Sequence, residues 1–295
     1  GPGCTTQDMA PILFVDDDEG DLLEAYFTNA LDANGYAYDI WDSYASGASP
    51  EVSEMSSYSA VIWNTGDDYL APTAGLTDAE QVEIAAYLDG GGNIFLSGQD
   101  ILYNGVSDDF NSSYLHIADY WNDEGVYRVT GVTGDPIGNG MNLPLTLPSL
   151  YEANYSDTLQ PDSSATGIFL ASETEFGGIF PYAALRYSSG SSSNPFKVVF
   201  FAFPFEAIST TAGNPNNQNA VMQRVVGWLG LGAEPGQPSA PVLDLDADDS
   251  SGVTGSNYAT TFSKGTGPLA ISDVDAAGTD IDSTDLTALT VTITN

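Results

Sequence analysis

Cations are nearly missing from this chain. Five Lys and Arg stand against 41 Asp and Glu in 295 residues, for a net charge of −36. A field of that sign repels nucleic acid phosphates and anionic membrane surfaces, so neither is expected as a partner. Cysteine occurs once, as Cys4, and histidine once, as His116. A single thiol excludes an intrachain disulfide, and the pair of scarcities excludes Cys-based and multi-His metal sites. No apolar run approaches the ~18 residues that a bilayer span needs. What the chain does have is 42% hydrophobic and 11% aromatic residues, enough for a substantial core.

Gly1-Pro2 reads as a remnant of protease cleavage, and residues 1–10 as a tail. From residue 11 the pattern alternates. Pro11 to Val15 is an apolar run ending in Asp16, Asp17 and Asp18, the signature of a buried parallel strand with a polar carboxyl end. A helical pattern follows over residues 22–31, stopped by Asn34-Gly35. Ala60 to Trp63 is a second buried strand, with Asp67 and Asp68 just beyond it. Thr77 and Glu80 have capping-box spacing, and Val82, Ala85, Ala86 and Leu88 supply the apolar face of the helix they open. Residues 93–98 form the next strand, leading to Asp100. Such alternation with short loops predicts an α/β domain with a doubly wound, mostly parallel sheet over residues 11–233. Residues 105–165 are irregular and read as an insertion or as extra strands; order returns over residues 167–171 and 183–187, residues 197–203 read as a central strand, and 219–229 as a closing helix.

Residues 234–241, rich in Pro and Gly, read as a linker. Beyond it, residues 242–295 lose the helical pattern and alternate Val, Ile and Leu with Asp, Thr and Ser, as antiparallel β structure does.

Two resemblances are carried by these segments. Residues 12–18, Thr65-Gly66-Asp67, the run Gly90 to Asp100 and residues 198–206 resemble a class I glutamine amidotransferase-like (flavodoxin-like) domain of the kind found in secreted bacterial proteins. Residues 241–246, 258–262, 270–275 and 289–295 resemble the first half of a cadherin-like module of giant bacterial adhesins, an incomplete Ig-like sandwich. These resemblances imply an extracellular or cell-surface location and calcium-stiffened structure.

Amidotransferases of this fold place a Cys at the turn after a strand. Here that turn reads Ser97-Gly98-Gln99-Asp100, so thiolate chemistry is excluded there. A serine hydrolase needs a base, and His116 is the only imidazole, so Ser97 with His116 is the weak catalytic candidate. Asp16-Asp17-Asp18 also resembles the acid pocket of receiver domains. That reading fails because Asn64 stands at the strand end and the two lysines, Lys197 and Lys264, are badly placed.

Asp16, Asp17, Asp18, Asp67, Asp68 and Asp100 all fall at the carboxyl edge of the expected sheet, where ligands bind. Converging carboxylates without cations repel one another unless a hard metal such as Ca2+ joins them or solvent separates them. In the tail, Asp244, Asp246, Asp248 and Asp249, then Asp273 with Asp275, and Asp280 with Asp282 and Asp285, are further candidates for Ca2+. Residues i and i+2 of a strand face one way, so each pair offers two carboxylates to one ion. They are not an EF-hand: Asp249 stands where its turn glycine belongs, and Gly255 where its bidentate Glu belongs.

Tyr103, Tyr114, Tyr120, Trp121 and Tyr127 form an aromatic set suited either to core or to a glycan or peptide ligand. The sequence is thus expected to be a non-catalytic, calcium-binding, adhesin-like extracellular module. Two alternatives stand beside it. One is a filament protomer, completed by strand addition from another chain at the β edge near residues 289–293. The other is the Ser97–His116 hydrolase.

Overall fold

A run of alternating apolar side chains, Ile12 to Val15, becomes strand β1 (Ile12–Asp16) because both of its faces are covered. Ile12 and Phe14 enter one core, while Leu13 and Val15 enter the other. The computed structural model describes residues 11–67, 75–103, 105–190 and 193–231, together with 242–245, 250, 272, 274 and 277–279.

After β1 come α1 (Glu24–Ala33), β2 (Tyr38–Asp42), two single-turn helices α2 (Ser43–Ser46) and α3 (Val52–Met55), and β3 (Ala60–Gly66). Next are α4 (Asp78–Asp89), β4 (Asn93–Gly98) and the short α5 (Asp108–Phe110), which runs into a π-helical turn, Asn111–Leu115. Strands β5 (Ile117–Trp121), β6 (Val126–Gly131), β7 (Asn142–Pro144), β8 (Thr158–Pro161), β9 (Thr166–Thr174) and β10 (Tyr182–Ser188) follow without a long helix. The first unit closes with β11 (Lys197–Phe201) and α6 (Gln218–Leu229).

The fold is mixed α/β. Its main sheet has the order β2-β1-β3-β4-β11-β10-β9-β6-β7, with β8 joining β10 and β5 joining β8. Strands β2, β1, β3, β4 and β11 run parallel, as the strand–helix alternation predicts. From β11 onward every pairing is antiparallel. The expected mostly parallel sheet is therefore half of the sheet, and the irregular insertion supplies much of the other half. Its strands are short and polar on one side, so they lack the continuous apolar run that marks a doubly covered strand.

One face of the sheet packs against α1 and α6. There Phe14 stacks on Phe27 at 4.9 Å, and Phe27 meets Phe205 at 4.8 Å. Helix α4 covers the other face. Its capping box is present as expected, with Thr77 and Glu80 exchanging side chain and backbone hydrogen bonds. Its buried face differs by one position from the expected one: Gln81, Ile84, Tyr87 and Leu88 are inside, and Val82 is exposed. Gln81 can be buried because both ends of its amide are used. Its Nε2 donates to Leu76 O at 2.8 Å, and its Oε1 accepts from Ser107 N at 2.8 Å.

The chain divides into two units, Gly1–Pro235 and Gly236–Asn295. Of the second, the described structure is an antiparallel pair, β12 (Val242–Asp244) and β13 (Ala277–Thr279). The rest of the expected cadherin-like module lies outside the described residues.

Candidate functional site

The parallel register lines up three polar side chains on one face of the carboxyl edge. Asp16 is level with Asn64, and Asn64 with Ser97. Each continues an alternation that buries its predecessor: Phe14 before Asp16, Ile62 before Asn64, Phe95 before Ser97. All three are buried. A polar row in that place is costly unless its groups find partners or a task.

The buried carboxyls of Asp16 and Asp18 lie close enough to act on each other's protonation. Asp18 also accepts from Gly20 N at 3.0 Å. Burial raises both carboxyls well above the ordinary range. For Asp16 the negative charges of Asp18 and Glu24 add to that, while for Asp18 the Gly20 N–H partly offsets it. Burial thus favours the protonated form of the pair near neutral pH.

Gly66 brings the pair against a second one. Its backbone has φ +57°, and a Cβ there would stand 3.0 Å from Asp18 Cβ and 3.5 Å from the Tyr151 hydroxyl. Tyr151 in turn donates to Glu206 Oε1. Glu206 lies in a 3-10 turn, Phe205–Ala207, just beyond β11, and burial pushes it up to about 7. Asp67 stands at the mouth of the group, half-buried, and is raised to about 6 by burial and then by Asp21. Asp16 Oδ1, Asp18 Oδ2, Asn64 Nδ2 and Glu206 Oε2 are buried atoms with no hydrogen-bond partner.

Sequence reasoning missed Tyr151, Asn64 and Glu206. The rule that singled out Asp16, Asp67 and Asp100 applies to Glu206 as well, since it follows a central strand at the same edge. Tyr151 sits in the irregular region, where no periodicity marks it.

Ser97 and His116 are not brought together. The Ser97 hydroxyl is fully buried, accepts from Phe205 N at 2.8 Å and donates to Phe203 O at 3.4 Å. His116 Nδ1 is 3.0 Å from Asp162 Oδ2, and its ring lies 3.8 Å from that of Tyr187. Tyr187 is level with Val198, and Val198 with Ile94, three residues before Ser97. At ~3.3 Å per residue that separates the two by roughly 10 Å along the strands.

Gln99 and Asp100 are also buried. The Gln99 amide gives to Ala153 O at 3.3 Å and accepts from Tyr155 N at 3.1 Å, tying the segment that carries Tyr151 to the edge. Asp100 lies near Asp157, whose carboxyl is raised well above its usual range by burial, with the charge of Asp100 adding to it. Asp17 points to the opposite face of the sheet from Asp16 and receives Trp63 Nε1 at 3.0 Å.

Among the described residues no group of three or more His, Cys, Asp and Glu side chains is arranged to hold a metal. Asp68, Asp246, Asp248, Asp249, Asp273, Asp275, Asp280, Asp282 and Asp285 lie outside the described residues, as does the side chain of Asp244. The aromatic set divides. Tyr114 packs on Phe110 and Phe196, while Tyr103, Tyr120, Trp121 and Tyr127 are exposed. No helix is long and apolar enough to cross a membrane among the described residues.

No family model matches the chain. No curated protein matches it either. Solved structures do show a loose likeness. A putative GMP synthase component from Thermoplasma acidophilum is 11% identical, covering 75% of this chain and 94% of that one, with a TM-score of 0.45. PurLQS from Thermotoga maritima is 16% identical, covering 75% of this chain and all of that one, with a TM-score of 0.46. Agd3, described as a novel carbohydrate deacetylase, is 15% identical over 67% of this chain and 30% of that one, with a TM-score of 0.42. Overlaps this loose carry no substrate or mechanism to this chain.

The expectation of a non-catalytic, calcium-binding, adhesin-like module is corrected. Among the described residues the carboxyls gather no metal-holding group. Burial explains the difference. These acids have left solvent, and burial favours their protonated forms, which relieves the repulsion that a count of charges assigns to a cation. The filament expectation rests on residues 289–293, outside those described, and gains no support.

Proposed function

We propose that this chain is a hydrolase of uncharged amides or esters, working through the Asp16–Asp18 pair. The observation that carries this is the neighbouring pair of buried carboxyls, with the unpartnered Asn64 amide in the same row, at the carboxyl edge of a parallel sheet. Two carboxyls that share one proton can take a proton from water and return one to a leaving group in the same site. Asp18, whose charged form is favoured by the Gly20 N–H on its Oδ1, takes the proton of an attacking water. The water oxygen bonds to the acyl carbon. Asp16 gives its proton to the departing nitrogen or oxygen as the acyl bond breaks. Asn64 Nδ2, a buried donor beside Asp16 in the same row, polarises the carbonyl oxygen.

Among the described residues no Lys or Arg is among the groups acting most strongly on these acids, and the chain carries −36 charges, so an anionic substrate is disfavoured. The hydrolase class of the sequence-based alternative is kept, with its chemistry moved from Ser97 and His116 to the two acids.

The test is turnover of a panel of neutral acetyl esters and simple amides, read across pH. A bell-shaped profile is expected, with Asp18→Asn losing at least ~100-fold in kcat. Carbon-13 NMR of the labelled aspartates should show the pair titrating in two steps above the usual carboxylate range. Ordinary titration near ~4 for both would end this reading, as would an Asp18→Asn variant of full activity.

A further inference from the structure

On the opposite face of the same edge, Asp17 opens into a cleft of about 310 Å³ that the acyl-transfer reading does not use. Ser43, Tyr44, Ser49, Glu19 and Glu80 complete the walls on which its chemistry depends. The cleft is built by local devices. Asp42 caps α2 by accepting from Ala45 N at 2.7 Å, and Gly47 ends it in the left-handed region. Trp41 Nε1 holds Ala48 O at 2.9 Å, which sets Ser49 between the two acids. The Ser49 hydroxyl lies 2.5 Å from Glu80 Oε1 and 3.4 Å from Asp17 Oδ1.

Three features define what fits. First, Asp17, Glu19 and Glu80 put three carboxyl groups around the cleft, and no Lys, Arg or His lines it among the described residues. Second, Ser43 is buried to 8% exposure at the wall. Its hydroxyl lies close enough to Asp17 to favour the charged carboxylate, yet no acceptor meets it at hydrogen-bonding geometry. Third, Tyr44 is 71% exposed, and its ring is laid against Gly20, where a Cβ would stand 2.9 Å from Tyr44 Cδ1.

A hard metal does not suit this arrangement. Glu80 Oε2 is committed to Thr77 N at 2.7 Å, Glu80 Oε1 to Ser49, and Asp17 Oδ2 to Trp63 Nε1. Calcium wants six to eight oxygens, and too few remain unengaged. An ammonium group needs only about three acceptors, and its alkyl stem or charge is well received by an aromatic ring.

We propose that this cleft binds a primary ammonium group carried on a short alkyl or sugar-like body, with Asp17 and Glu80 facing the charge and Tyr44 facing the body. The site is independent of the Asp16–Asp18 chemistry, because residues 16 and 17 leave the strand on opposite faces.

The experiment is isothermal titration of the full chain with n-butylammonium chloride at pH 8, in ~150 mM NaCl to screen the general field of the protein. Saturable one-to-one binding is expected. Tyr44→Ala, an exposed position that leaves the fold intact, should weaken it at least tenfold, and so should Asp17→Asn. 1-Butanol should not bind. Unsaturable uptake, or equal affinity in the wild type and Tyr44→Ala, would show mere counter-ion attraction and overturn the proposal. Equal binding of 1-butanol would overturn it as well. Ester or amide turnover by the wild type is unaffected by any of these outcomes, so the two readings fail separately.

Discussion

The Ser97 hydroxyl and the Phe205 backbone N–H are 108 residues apart in the chain and 2.8 Å apart in the fold. That bond fastens the segment after β11 to the end of β4. It also engages the hydroxyl that the sequence offers as a candidate nucleophile.

Ser97→Ala should therefore act on stability. It leaves a buried N–H without its acceptor, which costs on the order of 1–3 kcal/mol. A urea denaturation midpoint checks this. A serine-directed fluorophosphonate probe should leave Ser97 unlabelled in the wild type.

Stability should fall as pH rises from about 5 to 8. Glu206, raised to about 7, and Asp67, raised to about 6, bind protons in the folded state that they release when unfolded. A group with a raised folded pKa contributes its stability below its unfolded pKa and loses it as pH climbs through the folded value. Asp16, Asp17 and Asp18 act in the same direction. Melting temperature measured by calorimetry from pH 5 to 8 should decline. A rise over that interval would contradict the buried, protonated cluster.

Tyr151→Phe should push the Glu206 carboxyl further up. The phenol donates to Glu206 and favours its charged form, which partly offsets burial. Removing it deletes the offset and leaves desolvation in charge. Carbon-13 titration of labelled Glu206 reads the shift, and a downward movement would refute the assignment.

Arg186→Met should be among the most damaging single changes far from the carboxyl cluster. Arg186 Nε pairs with Asp135 Oδ2 at 2.7 Å, and the Asp135 side chain is buried. Breaking a buried pair costs roughly 3–5 kcal/mol when nothing else meets the remaining charge, and the Ile137 and Gly138 N–H groups and nearby Arg224 hold the loss at or below the low end of that range. Chemical denaturation of the variant measures it.

Much of the parallel half is legible in the sequence. Strands β1, β3 and β4 are apolar on both faces, and each ends in acids or glycine, so periodicity and composition agree. The capping box at Thr77 and Glu80 is a local rule and holds locally. The face of α4 misleads because Gln81 is polar by type yet buried by its two backbone bonds, while Val82 is apolar yet outward. The antiparallel half is legible only around residues 167–171 and 183–187, inside β9 and β10. Its strands alternate weakly and are interrupted by register shifts, so local pattern does not announce the rest. The carboxyl edge can be located from Asp16, Asp18 and Asp67, but not its chemistry. Charge counting treats every aspartate as ionised, whereas burial decides which ones keep a proton.

Strand β11 carries a consequence for synthesis. It pairs with β4, whose first residue, Asn93, precedes Lys197 by about a hundred positions, and with β10 just upstream. Until residue 201 leaves the ribosome, the parallel and antiparallel blocks each show a bare hydrogen-bonding rim to solvent or to a chaperone. The last inserted strand seals both rims at once, so a chain stalled a few codons early would emerge as two sticky halves rather than as a slightly shortened protein.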